Sequence, residues 1–347
     1  MIDLLSLSLD ELKEEIKSAG LPPFRATQIY SWLMKGASFE GMKNLPLTLR
    51  ESLSERYKAG SVSILETFSS EIDGTKKLLF ALDDGNVVEG VFMRHSYGNT
   101  LCISSQVGCA MGCAFCASTI GGAERDITAA EMLHMVLLVN AIADGGERRG
   151  VTNIVIMGSG EPLLNYDNVI KFLRLVSAPG GINISPRNIS LSTCGIIPAI
   201  YKLMEENLPI TLAISLHAAT DDIRSQIMPV NRQYPIKELL GACVEYTKRT
   251  KRRIVFEYAL IDGLNSSEDD AKALGMLLRG IMCHVNLISL NKVEESPLLP
   301  AGKAKTLRFL RTLEQMGISA TTRRSMGGDI EGACGQLRRS FLKEQGE

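Results

Sequence analysis

Residues 102–118 read CISSQVGCAMGCAFCAS and hold four of the eight cysteines in this 347-residue chain. Three of them, Cys109, Cys113 and Cys116, form a C-x3-C-x2-C run. The chain begins with an acidic, amphipathic stretch that has no basic leader and no small-residue cleavage site, so we expect a cytoplasmic protein. Because thiols stay reduced in the cytoplasm, crowded cysteines there are ligands or catalysts more often than disulfides. The run therefore predicts a metal-binding or catalytic loop.

Three thiolates at this spacing are compatible with zinc, with half of a disulfide framework or with an iron–sulfur cluster. Structural zinc takes four ligands, usually with a second cysteine or histidine pair, and no such pair follows in the sequence. A disulfide framework conflicts with a reducing compartment. A four-iron cluster normally takes four thiolates, so a trio would leave one iron open to a small ligand. The spacing favours the cluster.

The composition is that of an ordinary globular protein, with 45% apolar and 22% charged residues. No run of 18 apolar residues occurs, so we expect no spanning helix and no membrane partner. The net charge of −1 does not by itself indicate a nucleic-acid-binding protein. Basic residues are nevertheless clustered at 248–253, 323–324 and 338–339, and such clusters are compatible with RNA or with a solvated surface.

The pattern of apolar residues divides the chain into three parts. Residues 1–60 read as helices, residues 61–98 as β-hairpins, and residues 99–347 as short apolar strands alternating with amphipathic helices. The strands are apolar on both faces, as buried parallel strands are. Six β/α units in series predict an α/β fold, a partial parallel (β/α)6-type barrel with a small N-terminal helical domain and a β extension. An open doubly wound sheet is the competing topology.

Polar and thiol residues follow the predicted strands. The cysteine run follows the strand TLCISS, and the segments GSGEP (158–162), STCG (192–195) and SLH (215–217) follow the next three strands. In a parallel barrel the active site lies at the C-terminal ends of the strands. We therefore expect these segments to line one site.

The C-x3-C-x2-C motif, in a loop after the first strand of a β/α series, resembles that of the radical S-adenosylmethionine (SAM) superfamily. The resemblance implies a [4Fe-4S] cluster held by Cys109, Cys113 and Cys116, whose open iron binds the amino and carboxylate groups of SAM. An electron from the cluster would then cleave SAM to a deoxyadenosyl radical. The GSGEP segment resembles the superfamily's SAM amino-group contact, where Gly160 allows close approach and Glu161 can accept from an ammonium group. The competing interpretation is three small buried cysteines and an ordinary turn.

Seven segments resemble the RlmN family of dual-specificity RNA adenine-C2 methyltransferases, over nearly the whole chain. They are PPFRATQIYSWL, LCISSQVGCAMGCAFCAST, IMGSGEPLLNYDN, LSTCGIIPAI, ISLHAATDDIRSQIMPVNR, HVNLISLN and DIEGACGQLR. One departure is Ser159, where many members have Met or Ile, and we interpret it as variation tolerated in a turn. The resemblance assigns Cys334 as an S-methylcysteine intermediate and Cys102 as its disulfide partner. The remaining single cysteines, Cys194, Cys243 and Cys283, are interpreted as small buried side chains.

The chemistry implied by this family has two stages, because carbon 2 of adenine is electron-poor and does not attack the SAM methyl group as a nucleophile. Cys334 takes a methyl group from one SAM by polar displacement. A second SAM yields the radical that removes hydrogen from this S-methyl group, and the carbon radical then adds to the base. Cys102 releases the product by attacking the Cys334 sulfur, which leaves a disulfide for later reduction.

The same resemblance assigns the other site residues. Glu89 matches the family's acid/base position, although by itself it would be interpreted as an exposed strand glutamate. The SAM-binding positions are Gly160, Glu161, Ser192, Ser215, Leu216, His217 and Asn291. By itself, His217 could instead be a strand-end histidine whose hydrogen bonds are satisfied within the protein.

The family resemblance also implies the partners. The substrates would be 23S rRNA, at an adenosine of the peptidyl-transferase loop, and tRNA, at the adenosine next to the anticodon. We expect the N-terminal helical domain, the basic run 248–253 and Arg323-Arg324 to hold RNA. An electron donor such as flavodoxin or ferredoxin would reduce the cluster. Nothing in the sequence resembles an interface stripe, so we expect a monomer.

Two other functions remain open from the sequence. The sister family, Cfr, methylates carbon 8 of the same base and shares the five cysteines, and sequence alone does not measure which carbon reacts. A non-catalytic iron–sulfur or zinc RNA-binding protein is the alternative from another class. That alternative leaves Cys102 and Cys334 without a role.

Overall fold

The structure, a computed structural model, describes residues 1–143, 150–290, 296–324 and 326–330. Its first part is a small helical unit. The elements of this unit are β1 (Ile2–Asp3), α1 (Leu9–Ser18), α2 (Phe24–Leu33), α3 (Leu47–Arg56) and β2 (Tyr57–Lys58). The strands β1 and β2 pair in parallel, so the end of the unit is tied back to its start.

Most of the remaining strands form one sheet. All the strands that follow the helical unit in the described residues are β3 (Val62–Ser69), β4 (Lys76–Leu82), β5 (Val87–His95), β6 (Gly98–Ile103), β7 (Gln106–Gly108), β8 (Ala123–Asp126), β9 (Asn153–Ile156), β10 (Ile189–Thr193), β11 (Thr211–Ser215), β12 (Ile254–Leu260), β13 (Cys283–Ser289) and β14 (Ala320–Thr322). Ten of these strands are hydrogen-bonded in the order β14-β13-β12-β11-β10-β9-β6-β5-β4-β3. The pairs from β6 to β14 are parallel, whereas β3, β4, β5 and β6 pair in an antiparallel meander. The strands β7 and β8 form a separate hairpin.

Helices connect the successive parallel strands. They are α4 (Ala129–Ala143), α5 (Tyr166–Ser177), α6 (Ile197–Glu205), α7 (Asp221–Ile227), α8 (Ile236–Thr250), α9 (Glu268–Leu278) and α10 (Lys303–Gln315). This alternation confirms the expected α/β fold with a mostly parallel sheet. Within the described ranges β14 and β3 are the two edges of the sheet, so it is a partial barrel in which the C-terminal ends of the parallel strands share one rim.

The core lies between the sheet and its helices. Helix α4 is apolar on nearly all sides because it packs against α5, β3 and β6 at once, and Met132, Val136 and Val139 are fully buried. Each such side chain stabilises the fold by about 1.5–3 kcal/mol. None of the helices in the described part of the chain is both long enough and apolar enough to cross a bilayer.

A buried histidine connects α4 to the start of β3. The His134 Nδ1 accepts the Val62 N–H at 3.0 Å, and burial lowers the pKa of His134 to about 4, so the ring is neutral. Gly60 lies against this ring at a φ of +117°, and a Cβ on Gly60 would come within 2.3 Å of the His134 Cε1. The neutral ring therefore fills a space that only a glycine backbone leaves open.

Candidate active site

A cavity of about 270 Å³ lies at the C-terminal rim of the parallel strands. Eight of the residues singled out in the sequence line it: Cys109, Cys113, Cys116, Gly160, Glu161, Ser192, Ser215 and His217. They come from the cysteine loop, the loop after β9, the end of β10 and the end of β11, which are brought together because parallel strands end at the same edge. The expectation that these segments meet at one site agrees with this cavity.

The cysteine loop is held by backbone contacts at its first cysteine and near its middle. The Cys109 N–H donates to the Gly122 carbonyl at 2.9 Å, and the Ala114 N–H donates to the Ile227 carbonyl at 2.9 Å. Gly108 has a φ of +75°, and a Cβ on it would lie 2.0 Å from the Gly122 oxygen, so only glycine fits directly before Cys109. The loop thus runs between the β7–β8 hairpin and the end of α7.

The three thiols of this loop share one environment. Burial is the main cause that raises the pKa of Cys109 and of Cys113, and the neighbouring thiols of the trio raise both further. A thiol of this kind becomes a thiolate when a metal replaces its proton. Among the described residues no three histidine, cysteine or carboxylate side chains converge on a single metal ion. A four-iron cluster attaches each thiolate to a different iron, and the three thiols line one cavity, so this donor set fits such a cluster.

Glu161 braces the loop that follows β9. Its buried carboxylate accepts the Leu163 N–H at 3.0 Å and the Cys194 N–H at 2.7 Å, which joins this loop to the end of β10. Burial raises the pKa of the Glu161 carboxyl, although the same two hydrogen bonds lower it. Gly160 has a φ of +100°, and a Cβ there would lie 2.5 Å from the Gln106 Cβ. The glycine is therefore required by the close approach of β7.

Ser159 has a structural role that the sequence did not predict. Its hydroxyl donates to the Gly108 carbonyl at 3.0 Å, and its N–H donates to the Ser104 hydroxyl at 3.0 Å. The Ser104 hydroxyl in turn donates to the Glu89 carbonyl at 2.9 Å. Ser159 thus links the loop after β9 to the residue before Cys109.

His217 follows β11 with a left-handed backbone, at a φ of 56°. Its Nδ1 accepts the Ala259 N–H at 2.9 Å, and burial lowers its pKa to about 3. The ring is therefore neutral with its proton on Nε2, which leaves an N–H donor on a ring that lines the cavity. The Phe115 ring meets it edge-on, at 4.9 Å between centroids. The Nδ1 of His217 is thus hydrogen-bonded within the protein, whereas its Nε2–H is available to donate to a ligand.

The hydroxyls of Ser192 and Ser215 lie 3.4 Å apart on the neighbouring strands β10 and β11. Leu216 is buried and does not line the cavity; its N–H donates to the Glu257 carbonyl at 3.1 Å. Cys194, interpreted from the sequence as a small buried residue, is buried but also lines the cavity, with its sulfur 3.4 Å from the Met111 sulfur.

Arg224 is a site residue that the sequence analysis missed. Its side chain is fully buried, and its guanidinium donates to the carbonyls of Cys194 at 2.7 Å, Ser215 at 3.1 Å and Leu216 at 3.1 Å. One side chain therefore fixes the ends of β10 and β11 relative to each other. The available signal was an arginine inside the apolar pattern of the DDIRSQI segment.

Glu89 and Cys102 lie on the interior side of the sheet, outside the lining of this cavity. Cys102 is buried and clusters with Val91, Met93 and Met326. Glu89 is buried rather than exposed, and its carboxylate lies 3.5 Å from the Nζ of Lys77, which is also buried. No pattern in the sequence indicated a role for Lys77.

Two predicted site residues, Asn291 and Cys334, lie outside the described residues. The structure therefore provides no geometry for the predicted Cys102–Cys334 pair or for the SAM contact of Asn291.

Comparisons with known proteins cover the whole chain. The radical SAM superfamily profile matches residues 103–274, and the profile of the ribosomal RNA large subunit methyltransferase N-terminal domain matches residues 2–58. A curated protein of Clostridium perfringens, "Probable dual-specificity RNA methyltransferase RlmN", is 49% identical over 348 residues, which cover 100% of this chain and 99% of that protein. A protein of the same description from Clostridium beijerinckii is 50% identical over 346 residues, covering 99% of this chain and 97% of that protein.

One solved structure is similar over the same length. The crystal structure of a radical SAM methyltransferase from Sphaerobacter thermophilus superposes with a TM-score of 0.93 at 41% identity, covering 97% of this chain and 99% of that chain. The similarity thus includes the N-terminal helical unit and the sheet together.

Proposed function

This chain belongs to the RlmN family of radical SAM RNA methyltransferases, and on that premise we propose that it methylates carbon 2 of adenosine. The proposed substrates are 23S rRNA, at the peptidyl-transferase loop, and tRNA, next to the anticodon. The observation that carries the proposal is the cavity at the strand ends, where the cysteine trio occurs together with five of the seven expected SAM-binding residues.

Membership in the superfamily implies a [4Fe-4S] cluster and SAM. Cys109, Cys113 and Cys116 would hold the cluster, which when bound supplies the electron that cleaves SAM. The hydroxyls of Ser192 and Ser215 and the Nε2–H of His217 are the polar groups that would orient SAM in the cavity. The Phe115 ring also lines the cavity and contacts the His217 ring edge-on, and the fully buried Arg224 connects the ends of β10 and β11.

The reaction proposed for the chain uses two SAM molecules per turnover. Cys334 would displace the methyl group of the first, which leaves S-adenosylhomocysteine. The second would supply the radical that removes a hydrogen atom from the S-methyl group, and the resulting carbon radical would add to carbon 2 of the adenine. Glu89 moves the proton that carbon 2 of the adenine must lose. Cys102 attacks the Cys334 sulfur, so that the S–S bond forms as the bond between that sulfur and the transferred carbon breaks. The transferred carbon takes up a proton to complete the methyl group, and the one electron left from the radical adduct would return to the cluster. The burial of both Glu89 and Cys102 supports this part of the proposal, because water is kept from them.

A second cavity supports RNA as the partner of the barrel. It has a volume of about 780 Å³ and lies at the N-terminal ends of β9, β10 and β11. Arg187, Arg323 and Arg324 line it together with His95, whose pKa is lowered by burial and by the two neighbouring guanidinium groups of Arg324 and Arg323. A positive opening of this kind attracts phosphates.

The same opening offers a surface for bases. Tyr97 is 72% exposed and stacks on His95 with 4.8 Å between ring centroids. Exposed aromatic rings bind unstacked RNA bases. Arg323 lines this opening and the cofactor cavity as well, so the two are adjacent inside the barrel. We propose that RNA approaches here and that the target adenosine leaves its stack to enter the barrel.

Only part of the basic run 248–253 is available to bind RNA, because two of its arginines contact other parts of the protein. Arg249 pairs with Glu205, and the Arg252 Nε donates to the Ile210 carbonyl at 2.9 Å. Lys248, Lys251 and Arg253 are exposed and remain candidates for RNA phosphates. We further propose a monomer in the cytoplasm, reduced by a flavodoxin or ferredoxin.

The test is nucleoside analysis. The anaerobic, reduced enzyme is incubated with SAM carrying a labelled methyl group and with transcripts of the rRNA loop or of tRNA, and the digested nucleosides are analysed by mass spectrometry. We expect label on carbon 2 of adenosine and deoxyadenosine in the same mixture. Label on carbon 8 would contradict the proposed position, and iron-bound, folded protein that forms no deoxyadenosine would contradict the enzyme mechanism.

A further inference from the structure

Lys77 is the one lysine that is buried in the part of the chain that the structure describes. Burial removes water from its ammonium group, and this costs free energy even when the charge is paired. The replacement of a buried ion pair by two well-packed apolar side chains is often neutral or even stabilising. A gain in stability therefore does not account for this lysine, and its position in the sheet indicates another role.

Lys77 lies on the face of the sheet that continues the interior of the barrel. It is paired with Val91 of β5, and Val91 is paired in turn with Cys102 of β6. Residues directly opposite each other on neighbouring strands point to the same face. Cys102 is also paired with Val155 of β9, which lines the second cavity. Lys77 therefore shares the interior face with Cys102.

The backbone of β5 holds Glu89 on this same face. The Ser104 hydroxyl donates to the Glu89 carbonyl at 2.9 Å. The next residue, Gly90, is packed closely on the opposite face, where a Cβ would lie 2.7 Å from the Phe80 Cε2. Since successive side chains of a strand point to opposite faces, the Glu89 side chain is directed to the interior. Glu89 is diagonal to Cys102 across β5 and β6, a relationship that separates two residues by about 7–8 Å.

The Glu89 carboxylate is held by the lysine from the β4 side. Its Oε2 lies 3.5 Å from the Lys77 Nζ, and both side chains are buried. In such an ion pair the glutamate is a carboxylate, which is the form that takes up a proton. A carboxylate that rotates freely is aimed at a single carbon for only part of the time, whereas a general base must lie within reach of the proton it removes. The contact with the Lys77 ammonium group limits this rotation.

We propose that Lys77 is a positioning residue that aims the Glu89 carboxylate at carbon 2 of the target adenine. This inference rests on the proposed function, which assigns the proton transfer to Glu89. In that step the C–H bond at carbon 2 breaks, its electron pair stays with the base, and the proton forms an O–H bond to Glu89. Lys77 touches no reacting atom and gives up no proton in this step.

The experiment compares the removal of a proton and of a deuteron. The full-length, reconstituted and reduced enzyme is given SAM and a transcript of the rRNA loop that carries hydrogen or deuterium on carbon 2 of the target adenosine. The methylation rate at saturating RNA, the KM for RNA, iron per chain and deoxyadenosine are measured. Lys77→Met is compared with wild type and with Lys76→Met. Lys76 is the matched control, because it neighbours Lys77 on β4 and points to the opposite face.

We expect Lys77→Met to keep the iron content, the deoxyadenosine of the first turnover and the KM for RNA of wild type. Its methylation rate should fall about tenfold or more, since a misplaced base removes the proton slowly. The ratio of the rates with hydrogen and with deuterium should rise above that of wild type, because proton removal then limits the reaction. Lys76→Met should match wild type in every measurement.

A wild-type rate and isotope ratio in folded Lys77→Met would overturn the positioning role and leave the proposed function intact. A slower variant with an unchanged isotope ratio would also overturn it, because a merely structural defect does not single out this step. A wild-type enzyme that does not methylate carbon 2 would overturn the proposed function, and the inference with it.

Lys77→Arg provides the same test if Lys77→Met does not fold. It keeps a positive charge but replaces the compact ammonium group with a planar fork. We expect a smaller loss of rate than tenfold and an isotope ratio that is again above that of wild type. A wild-type isotope ratio in folded Lys77→Arg would then count against the positioning role.

Discussion

Lys77 and Glu89 form an ion pair inside the sheet, with 3.5 Å between the Lys77 Nζ and the Glu89 carboxylate. The side chains keep only 1% and 7% of their exposure. They lie diagonally across β4 and β5, because Lys77 is paired with Val91 and Leu79 with Glu89. A fully buried lysine is rare unless it is paired. The Lys77 ammonium group is thus a charged partner of Glu89, the proposed acid/base residue.

A double-mutant cycle on this pair is expected to show strong coupling. Lys77→Met and Glu89→Gln should each lower the free energy of unfolding by about 3–5 kcal/mol, because each removes one partner of a buried ion pair. The double variant should lose clearly less than the sum of the two. Denaturant unfolding measures all four proteins. As a control, Lys13→Met and Asp10→Asn on the exposed pair of α1 should change stability by less than about 1 kcal/mol each. Additive losses at Lys77 and Glu89 would show that the two charges do not act together.

Replacement of a cluster ligand should remove iron from the folded protein. Cys113→Ala leaves two thiolates of the trio, so we expect bound iron to fall to background and deoxyadenosine formation to stop. Iron per chain and deoxyadenosine are measured after anaerobic reconstitution. Cys243→Ala is the matched control, because that thiol is fully buried in α8 and away from the cavity lining. If Cys113→Ala keeps the iron content of the control, the assignment of the cluster loop is wrong.

His134 should make the protein less stable as the pH falls below about 6.5. Burial lowers its pKa in the folded protein to about 4, whereas in the unfolded chain it is about 6.5. Between these two pKa values the unfolded state binds more protons than the folded state. The contribution of His134 to the free energy of unfolding is therefore fully present above about pH 6.5 and is lost as the pH falls towards about 4. The loss amounts to about 3 kcal/mol.

Chemical unfolding between pH 7 and pH 4 measures this slope. His134→Gln keeps a polar acceptor for the Val62 N–H and does not titrate, so its curve should be flatter than that of wild type across the same range. His217 is also buried and neutral and contributes to both curves alike. Parallel curves for the two proteins would mean that His134 does not cause the loss of stability between pH 7 and pH 4.

Arg224→Lys should weaken SAM binding in the folded enzyme. The guanidinium donates to the carbonyls of Cys194, directly after β10, and of Ser215, at the end of β11, and a single ammonium group does not reproduce this fork. We expect the dissociation constant for SAM to rise about tenfold, which corresponds to about 1.4 kcal/mol. Calorimetry on the reconstituted protein measures the affinity. Arg232→Lys, on an exposed arginine of the same region, should bind as wild type does. An unchanged SAM affinity in Arg224→Lys would show that the guanidinium contacts to the ends of β10 and β11 are not needed for SAM binding.

Local patterns in the sequence were sufficient for the fold class and for much of the cavity. The alternation of apolar strands and amphipathic helices predicted a parallel sheet, and the structure has one. Residues that follow the strands, such as Glu161 and His217, meet at one rim because parallel strands align their C-terminal ends. The cysteine spacing required no tertiary information, since a single loop carries all three thiols.

Other relationships depend on the register of the sheet and on contacts between distant segments. Lys77 meets Glu89 only through the pairing of β4 with β5, and this pairing also buries a glutamate that would otherwise be interpreted as exposed. Arg224 reaches the ends of two strands only because α7 packs beneath them.

The sequence by itself determined which chemical groups this protein has and in which order its strands and helices occur along the chain. Both depend only on local composition and on the spacing of residues. Only the tertiary structure decided which groups are neighbours. Asp329 and Ser70 are 259 residues apart and become partners at 2.6 Å. The physical reason is that burial and hydrogen bonding depend on distances in space, and these arise only when the sheet has paired and the chain has closed across it.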